Sequence, residues 1–159
     1  MASLKALSFT GSELVAMNAD TLAYINQHQL TSVMSFTKWR KLEQALHEEP
    51  NFVPHVRYKL LEDEEPNPSF TPVWWHELLE ICERIEWLEI DPLKREHRGR
   101  LLPEKTTDFA DYIESQLHKY GIPYSREAQG FRIWGYLHPD ATMPAFCIAA
   151  GGETIKEAE

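Results

Sequence analysis

The sequence predicts an α+β fold: a small, mainly antiparallel sheet with helices packed on one side, in the order ααβαβαββ. Three observations predict it. Apolar residues recur at helical spacing in four stretches, other stretches alternate with a period of two or run β-branched and aromatic, and prolines and glycines punctuate the joins. At 159 residues with 43% hydrophobic, the chain is long enough for one substantial core. Seven Gly and ten Pro exclude a collagenous or low-complexity chain, and five Trp, six Tyr and seven Phe argue against wholesale disorder.

Residues 12–29 read as the first helix, with Ser12 placed to cap and Leu14, Met17, Leu22 and Ile25 on one face. A second starts near Ser35, buries a stripe of Trp39, Leu42 and Leu46, and cannot pass Pro50. From Phe52 to Leu61, Val56, Tyr58 and Leu60 alternate with Arg57 and Lys59, as in a half-exposed strand. Glu62-Asp63-Glu64-Glu65-Pro66-Asn67-Pro68 then reads as a solvated loop. Thr71-Pro72 supplies a cap and a first-turn proline for a helix reaching Arg84, with a Glu80–Arg84 pair across one turn.

Ile85 to Asp91 is short, β-branched and aromatic, apolar on both faces, and cut off by Pro92, which marks an inner strand. A polar loop from Lys94 to Lys105 leads to a helix starting at Thr106 or Thr107, buried through Phe109, Ile113 and Leu117 and stopped by Gly121 and Pro123. Ile122–Arg126 and Phe131–Leu137 form a hairpin through residues 127–130, where Gly130 suits a positive φ. Ala145–Ala150 adds a short strand, and residues 151–159 are expected to fray. The weakly patterned link before Met34 suggests an N-terminal appendage, 1–33, ahead of a single domain, 34–150.

No apolar stretch approaches the length of a membrane helix, and no basic region leads into a hydrophobic signal segment, so a cytoplasmic protein is expected. Cys82 and Cys147 lack CxxC spacing and read as reduced thiols. The net charge is −9, and residues 62–93 carry an excess of acids equal to all of it. Direct nucleic-acid binding is disfavoured, because phosphates demand a basic surface. A basic protein partner is favoured.

Chemistry has few footholds. Glu89 and Asp91 share one face of their strand, so the pair has the spacing to bind a metal or divide acid and base roles, with His76 as a third member. An ion-paired strand end is the plainer reading of the same residues. The seven histidines form no HxH or HExxH, and GxSxG, GxGxxG and GxxxxGK[ST] are absent, so no metal, cofactor or catalytic residue is assigned. The basic run Lys94 to Arg100 reads as an exposed loop beside the acids. Arg132, Trp134 and Tyr136 share one strand face and are of the residue types that anchor interfaces, unless helices cover both faces and Trp134 is core.

Thr37-Lys38-Trp39, Ile85-Glu86-Trp87-Leu88-Glu89-Ile90, Gly121-Ile122-Pro123-Tyr124 and Ile133-Trp134-Gly135-Tyr136 together resemble a family of small bacterial proteins of unknown function over residues 34–137. Its members resemble small cytoplasmic proteins that accompany toxin systems, and this resemblance implies an immunity-type role without naming catalytic residues. The leading expectation is therefore a non-enzymatic acidic binding module, and the resemblance implies an immunity-type inhibitor that masks a basic toxin. Its partner-binding residues would be Glu62, Asp63, Glu64, Glu65, Glu86, Glu89, Asp91, Arg132, Trp134 and Tyr136. The competing expectations are a small metal-dependent or hydrolytic enzyme using Glu89 and Asp91, and a homo-oligomer whose aromatic faces bury one another.

Overall fold

The computed structural model describes residues 18–140, together with the backbone of Ala149–Ala150 and Glu153–Thr154. Helix α1 spans Ala19–His28, capped by Asn18, whose side chain accepts from the Asp20 N–H; the expected start at Ser12 lies outside the described residues. Strand β1, Thr31–Ser32, follows, and then α2, Phe36–His47, capped by Ser35 through the Lys38 N–H. Trp39, Leu42 and Leu46 are buried as the spacing predicts, each contributing roughly 2 kcal/mol through burial. Strand β2 is His55–Leu60.

The next helix is shorter than expected. Thr71 does not cap it, because its backbone exchanges two 2.9 Å hydrogen bonds with Val56 on the edge of β2. The chain stays extended there, and α3 covers only Trp75–Glu80, followed by a 3₁₀ turn over Cys82–Arg84. With the helix ended before it, Arg84 pairs with Glu62 instead of Glu80. The two adjacent tryptophans divide as well: Trp75 is 6% exposed, Trp74 72%.

Strand β3, Ile85–Asp91, is buried along its whole length. The expected polar loop after it is a ribbon of β4, Leu93–Glu96, and β5, Lys105–Asp108. Thr106 and Thr107 are β-branched and take strand conformation opposite Arg95 and Lys94, so α4 begins later, at Ala110, and runs to Lys119. Strands β6, Tyr124–Glu127, and β7, Gly130–Trp134, form the expected hairpin, with β8, Tyr136–Leu137, separated by Gly135. Beyond it, β9, Ala149–Ala150, pairs with β10, Glu153–Thr154, so these last two residues are not frayed; residues 145–148 lie outside the described ones.

The main sheet is antiparallel in the order β2-β3-β7-β6. One face packs Val56, Leu88, Ile90, Phe131 and Ile133 against Trp39, Leu42 and Leu46 of α2, Trp75 and Leu78 of α3, and Ile113 and Leu117 of α4. This is the expected α+β layering. Gly130 has no positive φ; glycine is required because a Cβ would lie 2.0 Å from the Ile90 carbonyl oxygen. Gly135 is held to the same need by the Ile85 oxygen at 2.1 Å, so both ends of β7 approach β3 too closely for a side chain.

The boundary expected at Met34 falls inside a bonded region. β1 pairs with β8, the Val33 N–H donates to the Gly135 oxygen, and Leu30 packs with Leu61 and Tyr136 in a second apolar cluster. Residues 30–33 are thereby joined to the sheet's end.

Candidate functional site

The second face of the sheet is polar, and it gathers Glu86, Glu89, Asp91, Arg132 and Trp134 of the residues that the sequence singles out. Period-two alternation places Arg57, Glu89, Arg132 and Ser125 in one row across all four strands, by the pairings Arg57↔Glu89, Glu89↔Arg132 and Ser125↔Arg132. Glu89, 2% exposed, sits between the two guanidinium groups: Arg57 Nε donates to Oε1 at 2.7 Å and Arg132 Nε to Oε2 at 2.8 Å. Arg132 also lies over the Trp87 ring, 3.9 Å from its centroid, and 5.2 Å from that of Trp134. The Trp134 indole N–H donates to Ser125 Oγ, whose hydroxyl donates to Glu127.

The other two buried acids are also paired. Lys59 Nζ donates to Glu86 at 2.6 Å, and His138 Nε2 lies 3.1 Å from its second oxygen. A bulge at Lys59/Leu60 leaves Glu86 as the extra residue of β3 and turns it towards these partners. Asp91 accepts from the Leu93 N–H at 3.0 Å and from Arg95 Nη1 at 2.8 Å. A buried carboxylate without such partners would cost several kcal/mol, and each buried acid of β3 has a cation beside it: Lys59 for Glu86, Arg57 and Arg132 for Glu89, and Arg95 for Asp91.

Glu62, Asp63, Glu64 and Glu65 are placed differently. All four are exposed. Asp63 accepts from the Leu60 N–H at 3.1 Å and Glu62 from Arg84 Nε at 3.0 Å. Burial alone would raise the Glu62 pKa, but the Arg84 hydrogen bond and charge outweigh it and hold the carboxyl below its ordinary range. Past these acids, Asn67 N–H donates to the Tyr58 oxygen and Thr71 bridges Val56, so the loop runs along the outer edge of β2 and covers it. The acidic loop is thus fixed at both ends.

Tyr136 does not share a surface with Arg132 and Trp134. Gly135 interrupts the alternation, and Tyr136 turns into the second apolar cluster, donating its hydroxyl to the Glu83 oxygen; burial pushes its pKa up to about 12. His76 is exposed on α3 beside Trp74, not grouped with Glu89 and Asp91 in any metal-binding set among the described residues. The Cys82 thiol is pushed up to about 12 by burial, which leaves it unreactive near neutral pH.

Two features escaped sequence reading. Arg57 and Lys59 were legible as one strand face but not as the counter-ions of Glu89 and Glu86, because that needs the strand register. A cavity of about 600 Å³ at the far end of the sheet, lined by His55, Phe70, Asp91, Arg95, Glu127 and Phe131, joins residues from four separate segments and leaves no sequence signal.

Fold and site together define a small α+β protein with helices on one sheet face and a cross-strand network of ion pairs and indoles on the other. Residues 21–140 match the family described as "Family of unknown function (DUF6678)", and the chain belongs to that family. The match begins inside α1, so the family pattern takes in residues 21–33 of the expected N-terminal appendage, 1–33. No curated protein and no solved structure matches the chain. Among the described residues, no helix is long and apolar enough to cross a membrane.

Proposed function

We propose that this protein is a non-enzymatic binding module that docks a basic protein surface on its acidic loop, Glu62–Glu65. One observation carries this reading: among the acids of residues 62–91, Glu86, Glu89 and Asp91 are buried against cations of the same chain, whereas Glu62–Glu65 are exposed on a loop anchored at both ends. Glu86, Glu89 and Asp91 spend their charge inside the fold. Asp63, Glu64 and Glu65 face solvent, where they add to the field that speeds encounter with a cationic partner. A preorganised loop loses little entropy when it docks.

The finer form of the proposal is an immunity-type inhibitor in the bacterial cytoplasm that masks a basic toxin. An enzyme that cleaves nucleic acid must hold phosphates, so its working surface is positive and an acidic loop is suited to cover it. The test is to capture the partner from native cells, purify it, and titrate it against the wild type and against Glu64→Lys with Glu65→Lys. Loss of binding with the variant, and weakening with salt, is the expected result; equal affinity for both proteins would refute the docking role of the loop.

A further inference from the structure

The basic run that follows the acidic segment forms the tip of the β4–β5 ribbon. The base of the ribbon faces the body, where Leu93 and Arg95 line the cavity with Phe131, and its tip is exposed from His97 to Thr106. Its tip carries two neighbouring leucines in solvent, Leu101 at 95% and Leu102 at 56% exposed. His97, Arg98 and Arg100 precede them, and Arg98 Nε donates to the Pro103 oxygen at 3.2 Å, closing the tip into a defined loop. Apolar side chains ringed by cations on a shaped projection match an apolar hollow with an acidic rim.

The same chain carries such a hollow at the opposite end of the sheet. A cleft of about 380 Å³ between α1 and the start of the acidic loop has Tyr24 on its wall and the buried Leu61 at its floor; Asp20 and the Glu62–Arg84 ion pair stand on its rim, and Asp63 and Glu64 follow in sequence. The ribbon leaves the sheet at Asp91, whereas Leu61 sits at the Ile85 end of the β2–β3 pair. Seven strand residues separate the two, roughly 20 Å, so one copy's tip lies far from its own cleft.

We propose that the ribbon tip docks into this cleft on a second copy of the chain, Leu101 and Leu102 meeting Tyr24 above the floor formed by Leu61 while Arg98 and Arg100 face Asp20 and the exposed acids of the loop. Two copies lying antiparallel make the contact twice and close the assembly; a single head-to-tail contact would propagate instead. The proposal rests on the docking role given to the acidic loop and names one basic surface that the loop meets.

Sedimentation of the purified full-length protein, over a range of concentration at low and high salt, is the test. The expected result is a mass that rises with concentration to twice that of the monomer at low salt and falls back at high salt. Leu101→Ser with Leu102→Ser should reduce association at least about tenfold without loss of fold, as neither leucine is packed. Reversing the arm (Arg98→Glu with Arg100→Glu) or the cleft (Asp20→Lys with Glu64→Lys) should abolish the pair. An equimolar mixture of the two reversed proteins should restore it, since each arm then meets an opposite charge. A wild type that stays monomeric at every concentration, or a pair indifferent to these changes, would overturn the inference. A monomer that still binds a basic partner through Glu64 and Glu65 would remove the self-docking and leave the docking role intact.

Discussion

Glu89 on β3 lies directly across the strand pair from Arg132 on β7, with Arg57 on its other side, so one buried carboxylate joins three of the four strands of the sheet. That position makes Glu89 a fastener of the sheet; both of its oxygens are taken.

Replacing Glu89 with Gln removes the charge between two guanidinium groups that remain largely buried. Breaking a buried ion pair by deleting one partner costs about 3–5 kcal/mol. Urea denaturation of Glu89→Gln should show a loss of that order, whereas Glu64→Gln in the exposed loop should change stability by less than about 0.5 kcal/mol.

Glu83 gives the pH dependence an unusual sign. Its Oε1 is buried with no hydrogen-bond partner, and desolvation raises its pKa despite opposing contributions from its backbone and from Arg84. A carboxyl whose pKa rises on folding weakens the native state at neutral pH, and that penalty fades as pH falls through the raised value. Glu83→Gln should therefore stabilise the protein by roughly 1 kcal/mol at pH 7, with the gain shrinking in melts at progressively lower pH. Glu114 works the opposite way. Burial would raise its pKa, but hydrogen bonds from Arg126 and Tyr124 lower it overall, so its stabilisation is present above the unfolded carboxylate pKa and lost as pH falls through the folded value.

The glycines flanking β7 offer a geometric check. A methyl at Gly130 or Gly135 would meet a backbone oxygen near 2 Å, and backbone cannot swing aside as a flexible side chain can. Gly130→Ala and Gly135→Ala should each cost at least about 2 kcal/mol in thermal melts. Gly99→Ala has open space around it and only a φ of 111° to resist, so its cost should stay near about 1 kcal/mol.

The adjacent tryptophans predict a contrast between neighbours. Trp75→Ala should lose about 3–5 kcal/mol by emptying a core position. Trp74→Ala, at a side chain 72% exposed, should remain within about 0.5 kcal/mol. Equal losses in the two variants would contradict the packing of α3.

The fold class was legible because periodicity reports burial: Trp39, Leu42 and Leu46 declare a helix face, and Ile85 to Asp91 declares a strand covered on both sides. Local signals misled where tertiary pairing overrode them. Thr71-Pro72 carries a sound helix start, yet Thr71 bonds Val56 across the edge of β2, and Thr106 and Thr107 look like caps but pair with β4. The candidate site was half visible. Glu89, Asp91, Arg132 and Trp134 stood out by residue type, but which acids are neutralised depends on register, and a slip of one residue would have turned Glu89 into the core. Tyr136 fell outside the surface because Gly135 broke the alternation that seemed to include it.

Glu86, Glu89 and Asp91 hold the sheet, and the proposed role of the exposed Glu62–Glu65 loop is to meet a basic partner. The most direct measurement is the dissociation constant of the captured partner, taken at one salt concentration for the wild type, for Glu64→Lys with Glu65→Lys, and for Glu77→Lys, an exposed acid outside the loop. The account predicts that the loop variant binds at least about tenfold more weakly while the Glu77 variant changes little. Equal affinities for the wild type and the loop variant, with both proteins folded, would contradict it.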